Sequence, residues 1–80
     1  MKIGVKILPR NEVLDTQGRA VEGTLKAHGR AVNHARVGKY VQLDVSETDE
    51  TKALAKAKEI AEFVLYNPLI ETFELEVVRK

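Results

Sequence analysis

Apolar residues first recur at every second position: Ile3, Val5 and Ile7 alternate with Lys2, Gly4 and Lys6. That period predicts a strand over Lys2–Leu8 with one buried face, closed by Pro9. The spacing then changes. After a loop over Arg10–Leu14, Asp15 is placed to accept from the free N–H groups of a first helical turn. At about 100° per residue, Val21, Thr24, Leu25 and His28 gather on one side of the helix that follows, and Gly29 is its natural C-cap. Gly18 falls on that same side, where Ala would ordinarily save about 1 kcal/mol, so a close backbone neighbour is expected there. Gly23 points away from it, among Arg19 and Lys26, with no packing reason inside the helix.

From Val32 to Val45 the residues Val37, Val41, Leu43 and Val45 share one parity and read as extended chain. Gly38-Lys39 in the middle could instead be a two-residue hairpin turn, so one long bent strand and a hairpin both fit. The acidic run Ser46–Glu50 suits the start of a helix. Beyond it Ala53, Leu54, Ala57, Ile60, Ala61, Val64 and Leu65 fill an arc of roughly 140°, opposite Lys52, Lys56 and Glu59. Asn67-Pro68 ends that helix. A last strand over Ile70–Val78 points Phe73, Leu75 and Val77 inward and Thr72, Glu74 and Glu76 outward.

The order is strand, helix, strand or hairpin, helix, strand. It predicts an α+β fold of two layers, a mainly antiparallel sheet with two helices on one face. Lys2 and Lys6 are opposite in charge to Glu74 and Glu76, which makes the first and last strands antiparallel neighbours with these pairs on the open face.

Eighty residues make one domain, 1–80, and a chain this short hides only about 60–65% of its unfolded surface. With no Cys and two His, disulfide and metal staples are closed or nearly so, and self-association is the remaining route to added stability. The absence of Cys fits a reducing cytosol. The stretch MKIGVKILPR lacks the apolar core of a secretion signal, and no apolar run approaches the roughly 20 residues of a membrane span. Thirteen Lys and Arg against twelve Asp and Glu leave a net charge of +1, which supplies no whole-molecule field for nucleic acid or an anionic membrane.

Catalytic chemistry finds little to hold. His28 and His34 lie six apart without Cys or carboxylate at ligand spacing, and read as a helix-end residue and an exposed residue. Ser46, the only Ser, sits where a cap is wanted rather than beside a base. Glu47, Asp49 and Glu50 crowd a helix start, and Glu74 and Glu76 alternate on a strand. Asp15-Thr16-Gln17-Gly18 offers one glycine where a phosphate loop wants several and a Lys. Tyr40 is the only aromatic near a central strand, too few for base stacking. Phe63 falls about 60° outside the apolar arc of the second helix, and Tyr66 further round, as a pair of surface aromatics suited to a protein contact.

The segments VLDTQG (Val13–Gly18), ARVGKYVQLDV (Ala35–Val45) and LYNPLIETFELEV (Leu65–Val77), at these separations, resemble the PurS family, the small subunit of phosphoribosylformylglycinamidine synthase. The family more often has Ala before Asn-Pro and Pro after the first Asp, where this chain has Tyr66 and Thr16. The resemblance implies a ferredoxin-like variant of the fold and a non-catalytic assembly role. Its partners would be PurL, which performs the ATP-dependent amidation, and PurQ, which releases ammonia from glutamine. It also implies a cytoplasmic dimer or tetramer that binds no cofactor, ATP and Mg being used elsewhere in the complex. Asp15, Gln17, Gly18, Arg36, Gly38, Lys39, Asn67 and Pro68 match the family's signature positions. Arg36, Lys39 and Tyr40, projected by a turn at Gly38, together with Phe63, are the expected assembly surface. A small regulatory domain binding a metabolite between protomers is the alternative.

Overall fold

The computed structural model describes residues 1–30 and 32–79. Five elements and a π-helical turn follow one another: β1 (Lys2–Pro9), α1 (Thr16–Ala27), β2 (Lys39–Asp44), α2 (Glu50–Ile60), the π turn (Ala61–Leu65) and β3 (Glu71–Val77). The sheet is antiparallel in the order β2-β1-β3.

The period of two in β1 becomes the centre of the molecule. Ile3, Val5 and Ile7 are fully buried, each contributing roughly 1.5–3 kcal/mol. Opposite them Ala53, Ala57 and Ala61, spaced one turn apart, are also fully buried. Their small side chains let the helix axis come close to the sheet. Val45, Leu43, Leu54, Leu75 and Val77 close one end of this core, and Leu65, Tyr66 and Phe73 the other.

Asp49 caps α2 by accepting from Thr51 N–H at 3.0 Å, so the cap falls three residues beyond Ser46. At the far end the amide of Ala61 is shared between the carbonyls of Ala57 and Lys58, and the chain widens into the π turn. That turn adds a residue to the repeat and rotates everything after it. Val64, assigned inward by 100° steps, is 66% exposed. Tyr66, assigned outward, instead packs edge-on against Phe73 with ring centroids 4.7 Å apart.

Residues 32–38 are neither strand nor hairpin, and only Lys39–Asp44 pairs with β1. The turn expected at Gly38-Lys39 is absent because Gly38 lies flat on β1: a Cβ there would overlap the Ile7 carbonyl oxygen. The fold is thus β-α-β-α-β. Strand β3 spans one residue less at each end than its pattern covers. In the register Lys6 faces Glu74, while its Nζ pairs diagonally with Glu76 Oε1 at 2.9 Å. Lys2 faces Asp44 on β2.

Only α2 covers the sheet as expected of both helices. Gly18 is the one buried residue of α1. The side of the helix formed by Ala20, Val21, Thr24 and Leu25 lines an open apolar groove, and Val21 is 41% exposed. Segment 34–38 explains this. Asp15 and Glu22 bind its backbone amides, so α1 docks on that segment rather than on the sheet. The molecule is flat and extended, 47 × 31 × 14 Å.

Candidate functional site

Asp15 is the hub of the first cluster of signature residues. Its Oδ1 accepts from Gly18 N–H at 2.9 Å, as an N-cap does, and its Oδ2 accepts from Val37 N–H at 2.8 Å. These two donors, Gly18 first and Val37 second, hold its carboxyl below the usual range. Gly18 has the close neighbour expected: a Cβ would collide with the Ala35 carbonyl oxygen and with the Asp15 carboxylate. Glu22 accepts from Ala35 N–H at 2.9 Å and pairs with His34 Nδ1 at 3.0 Å. Arg36 donates from Nη2 to the Pro9 carbonyl. Segment 34–38 is thereby fastened to α1 and to the end of β1, with Gly38 resting on Ile7.

At the other end of α1 Gly29 adopts φ 74°. The amides of Gly29 and Arg30 bond back to the carbonyls of Lys26 and Leu25, completing a Schellman cap. His28 Nδ1 lies 3.0 Å from the Thr24 carbonyl.

A second cluster surrounds Asn67 and Pro68. The Asn67 side-chain Oδ1 accepts from Leu69 N–H at 3.0 Å, and the backbone N–H of Asn67 donates to Glu71 Oε1 at 2.8 Å. Its carbonyl receives the amides of Ile70 and Glu71. Arg10 donates through both Nε and Nη2 to the Pro68 carbonyl, at 2.9 and 2.8 Å. Asn67 and Pro68 thus shape the turn into β3, and Arg10 clasps that turn to the end of β1.

Tyr40 belongs to the open face of the sheet. Its ring lies over Gly4, where a Cβ would clash with its hydroxyl oxygen. That hydroxyl donates to Glu76 Oε2 at 2.7 Å while Lys6 holds Oε1. Glu76 is pulled down by Lys6 and then by Tyr40, and its charge raises both Lys6 and Tyr40. Near neutrality Tyr40 is therefore a protonated donor and Glu76 a carboxylate. Lys39 and Gln17 are exposed, and Phe63 stands out from the π turn at 88% exposure.

The structure therefore brings Asp15, Gly18, Arg36 and Gly38 together, and Asn67 with Pro68. It leaves Gln17, Phe63 and the Lys39-Tyr40 pair at separate places. Arg36 is half-buried against Pro9 rather than projected by a turn. Sequence reasoning passed over Arg10 and Glu22, whose partners lie 58 and 13 residues away. Among the described residues no three His, Cys, Asp or Glu come close enough to share a metal ion.

The signature side chains mostly bind backbone groups of their own chain, while Phe63, Val64 and the side of α1 stay uncovered. These features define a small ferredoxin-like α+β domain built to hold shape and meet partners. The family model for PurS, phosphoribosylformylglycinamidine (FGAM) synthase, matches residues 2–79, and the chain belongs to that family. It is 31% identical over 75 residues to the Thermotoga maritima phosphoribosylformylglycinamidine synthase subunit PurS, covering 92% of each chain. Among solved structures it resembles Bacillus subtilis PurS, with 33% identity, 98% of each chain covered and a TM-score of 0.78. It also resembles a chain in the structure of PurLQS from Thermotoga maritima, with 29% identity, 94% of this chain and 93% of that one covered, and a TM-score of 0.84.

Proposed function

We propose that this one-domain chain is the non-catalytic assembly subunit of phosphoribosylformylglycinamidine synthase, bridging PurQ and PurL and helping ammonia pass between them. The observation that carries this reading is its likeness, over 94% of its length, to a chain in the PurLQS structure. The ligase reaction consumes formylglycinamide ribonucleotide, ATP and glutamine in the cytoplasm. Its nucleotide and Mg chemistry resides in the partner subunits.

The side chains for partner contact are those of Gln17, Lys39, Tyr40 and Phe63, all exposed. Asp15, Gly18, Arg36, Gly38, Asn67 and Pro68 support them by fixing the backbone. Self-association into a dimer or tetramer accords with the thin, extended shape and the uncovered side of α1.

The test is glutamine-dependent amidation of formylglycinamide ribonucleotide by purified PurL and PurQ of the same source, with and without this chain. Activity that requires the chain is the expected result. Unchanged activity, with no co-elution in the presence of nucleotide and glutamine, would overturn the reading.

A further inference from the structure

The two arginines that clasp carbonyl groups, Arg10 and Arg36, converge with Arg19 on one cavity. It measures about 110 Å³ and lies between the end of β1, the loop before α1 and segment 34–36, with Asn11, Asp15 and His34 also on its wall. That volume is well above the roughly 10–15 Å³ that admits a single water, so the space takes a polyatomic ligand.

Three guanidinium groups remain charged at any physiological pH. The carboxylate on the same wall, Asp15, already receives an N–H on each oxygen, and Glu22 is engaged by His34 and Ala35. Among the described residues, none of the three arginines is in an ion pair. Arg10 uses two of its nitrogens and Arg36 one on backbone carbonyls. A guanidinium carries five N–H donors, so several remain for a ligand. In a chain whose net charge is only +1, three arginines on a wall that carries one carboxylate, Asp15, make a local excess of cations.

A second groove, about 360 Å³, continues from the first and shares Arg19 and His34 with it. Gly23 lies in its wall, and a Cβ there would meet nothing within 4 Å. This is the glycine for which the helix itself offers no reason. Its missing side chain keeps the groove open, with Lys26 beside it.

The geometry points to a binding site for a phosphate-bearing small molecule, its phosphate held by Arg10, Arg19 and Arg36 and the rest of the molecule lying along α1 over Gly23. Guanidinium forks suit a tetrahedral anion with several acceptor oxygens. The small first cavity suits a terminal group better than an extended acidic peptide. The site is independent of the assembly role and survives its failure.

The test is an NMR titration of the whole ¹⁵N-labelled chain at constant ionic strength, with inorganic phosphate, ribose 5-phosphate, sodium chloride and a penta-glutamate peptide in separate arms. Saturable shifts are expected at Asn11, Arg19, His34 and Arg36 with both phosphates, and at Gly23 and Lys26 with ribose 5-phosphate alone. Tighter binding of the sugar phosphate assigns the site to a phosphate monoester, and equal affinity assigns it to free phosphate. Arg19→Gln, which removes a charge with no described partner, should weaken phosphate by about tenfold or more and leave the spectrum folded. Gly23→Leu should weaken only ribose 5-phosphate. Shifts that sodium chloride reproduces, no saturation, tighter binding of the peptide than of either phosphate, or an Arg19→Gln chain that binds as before would each overturn the proposal.

Discussion

The same substitution at two glycines of one helix should move stability in opposite directions. At Gly23 a Cβ meets nothing within 4 Å, so Gly23→Ala collects the ordinary helix preference for Ala, a gain of about 0.8–1 kcal/mol. Gly18→Ala collects it too but places a methyl group within 2.5 Å of Asp15 Oδ2 and closer still to the Ala35 carbonyl oxygen. Neither neighbour is the free end of a flexible chain. The Ala35 carbonyl is backbone whose amide is held by Glu22, and the carboxylate is held by two amides. Forcing a methyl into such a site costs about 1–3 kcal/mol, and with both neighbours fixed the upper half of that range applies, leaving a net loss of about 1–2 kcal/mol. The two variants should therefore differ by about 2–3 kcal/mol, or about 10 °C or more in Tm for a domain of this size. Urea unfolding followed by far-UV circular dichroism reads the difference, with protein concentration fixed because association shifts apparent stability. A Gly18→Ala chain as stable as Gly23→Ala would refute the close approach of Ala35 to α1, and with it the account of how segment 34–38 is held.

Asp15 and Glu76 both have depressed carboxyl pKa values, below ordinary values of 3.8 and 4.5. The stability they contribute is complete above those values and lost as pH falls through the lower folded ones. Unfolding midpoints should thus fall from about pH 4 downward, and the deficit of Asp15→Asn relative to wild type should shrink over that acid range; a deficit independent of pH would argue against the charged cap. Tyr66→Ala removes an edge-on pair with Phe73 and should cost about 2 kcal/mol in denaturant unfolding. Phe63→Ala, at a residue 88% exposed, should change unfolding by less than about 0.5 kcal/mol yet weaken co-elution with PurL and PurQ. If Phe63→Ala instead destabilised the isolated chain as much as Tyr66→Ala, the phase assigned to the π turn would be wrong.

What was legible in the sequence was local. Asp15 as a cap, Gly29 as a C-cap and the Ala53, Ala57, Ala61 stripe depend on neighbours within about one turn, and each stands as read. The pairing of β1 with β3 was legible because one strand carries lysines and the other glutamates: Lys6 meets Glu74 and Glu76, whereas Lys2 faces Asp44 on β2. Tyr66 and Val64 were misplaced for a definite reason: a constant 100° step was carried across a turn that does not keep it. The path of residues 32–38 was hidden because it is set by Asp15, Glu22 and Pro9, far back in the chain. Arg36 looked like a projecting contact residue on sequence grounds, since nothing in its neighbourhood revealed the carbonyl it binds. The three segments that carry the family likeness include Asp15 but neither Glu22 nor Pro9, so the resemblance marked part of this backbone frame without disclosing what each position does.

The strand order β2-β1-β3 also bears on the time at which the sheet is completed during synthesis. Its central strand is the first to be made, and both of its neighbours arrive later. Strand β2 ends at Asp44 and β3 begins at Glu71, an interval that translation at about 5–20 residues per second crosses in roughly 1–5 s. A hairpin-like pairing forms in about 1–10 μs, so β1 and β2 have ample time to meet and then wait. Throughout that interval one edge of β1 is unpaired and Ile3, Val5 and Ile7 lack most of their cover. Growing chains on one message present this same edge to each other, which makes the nascent chain, rather than the finished one, the form most exposed to pairing with its own copies.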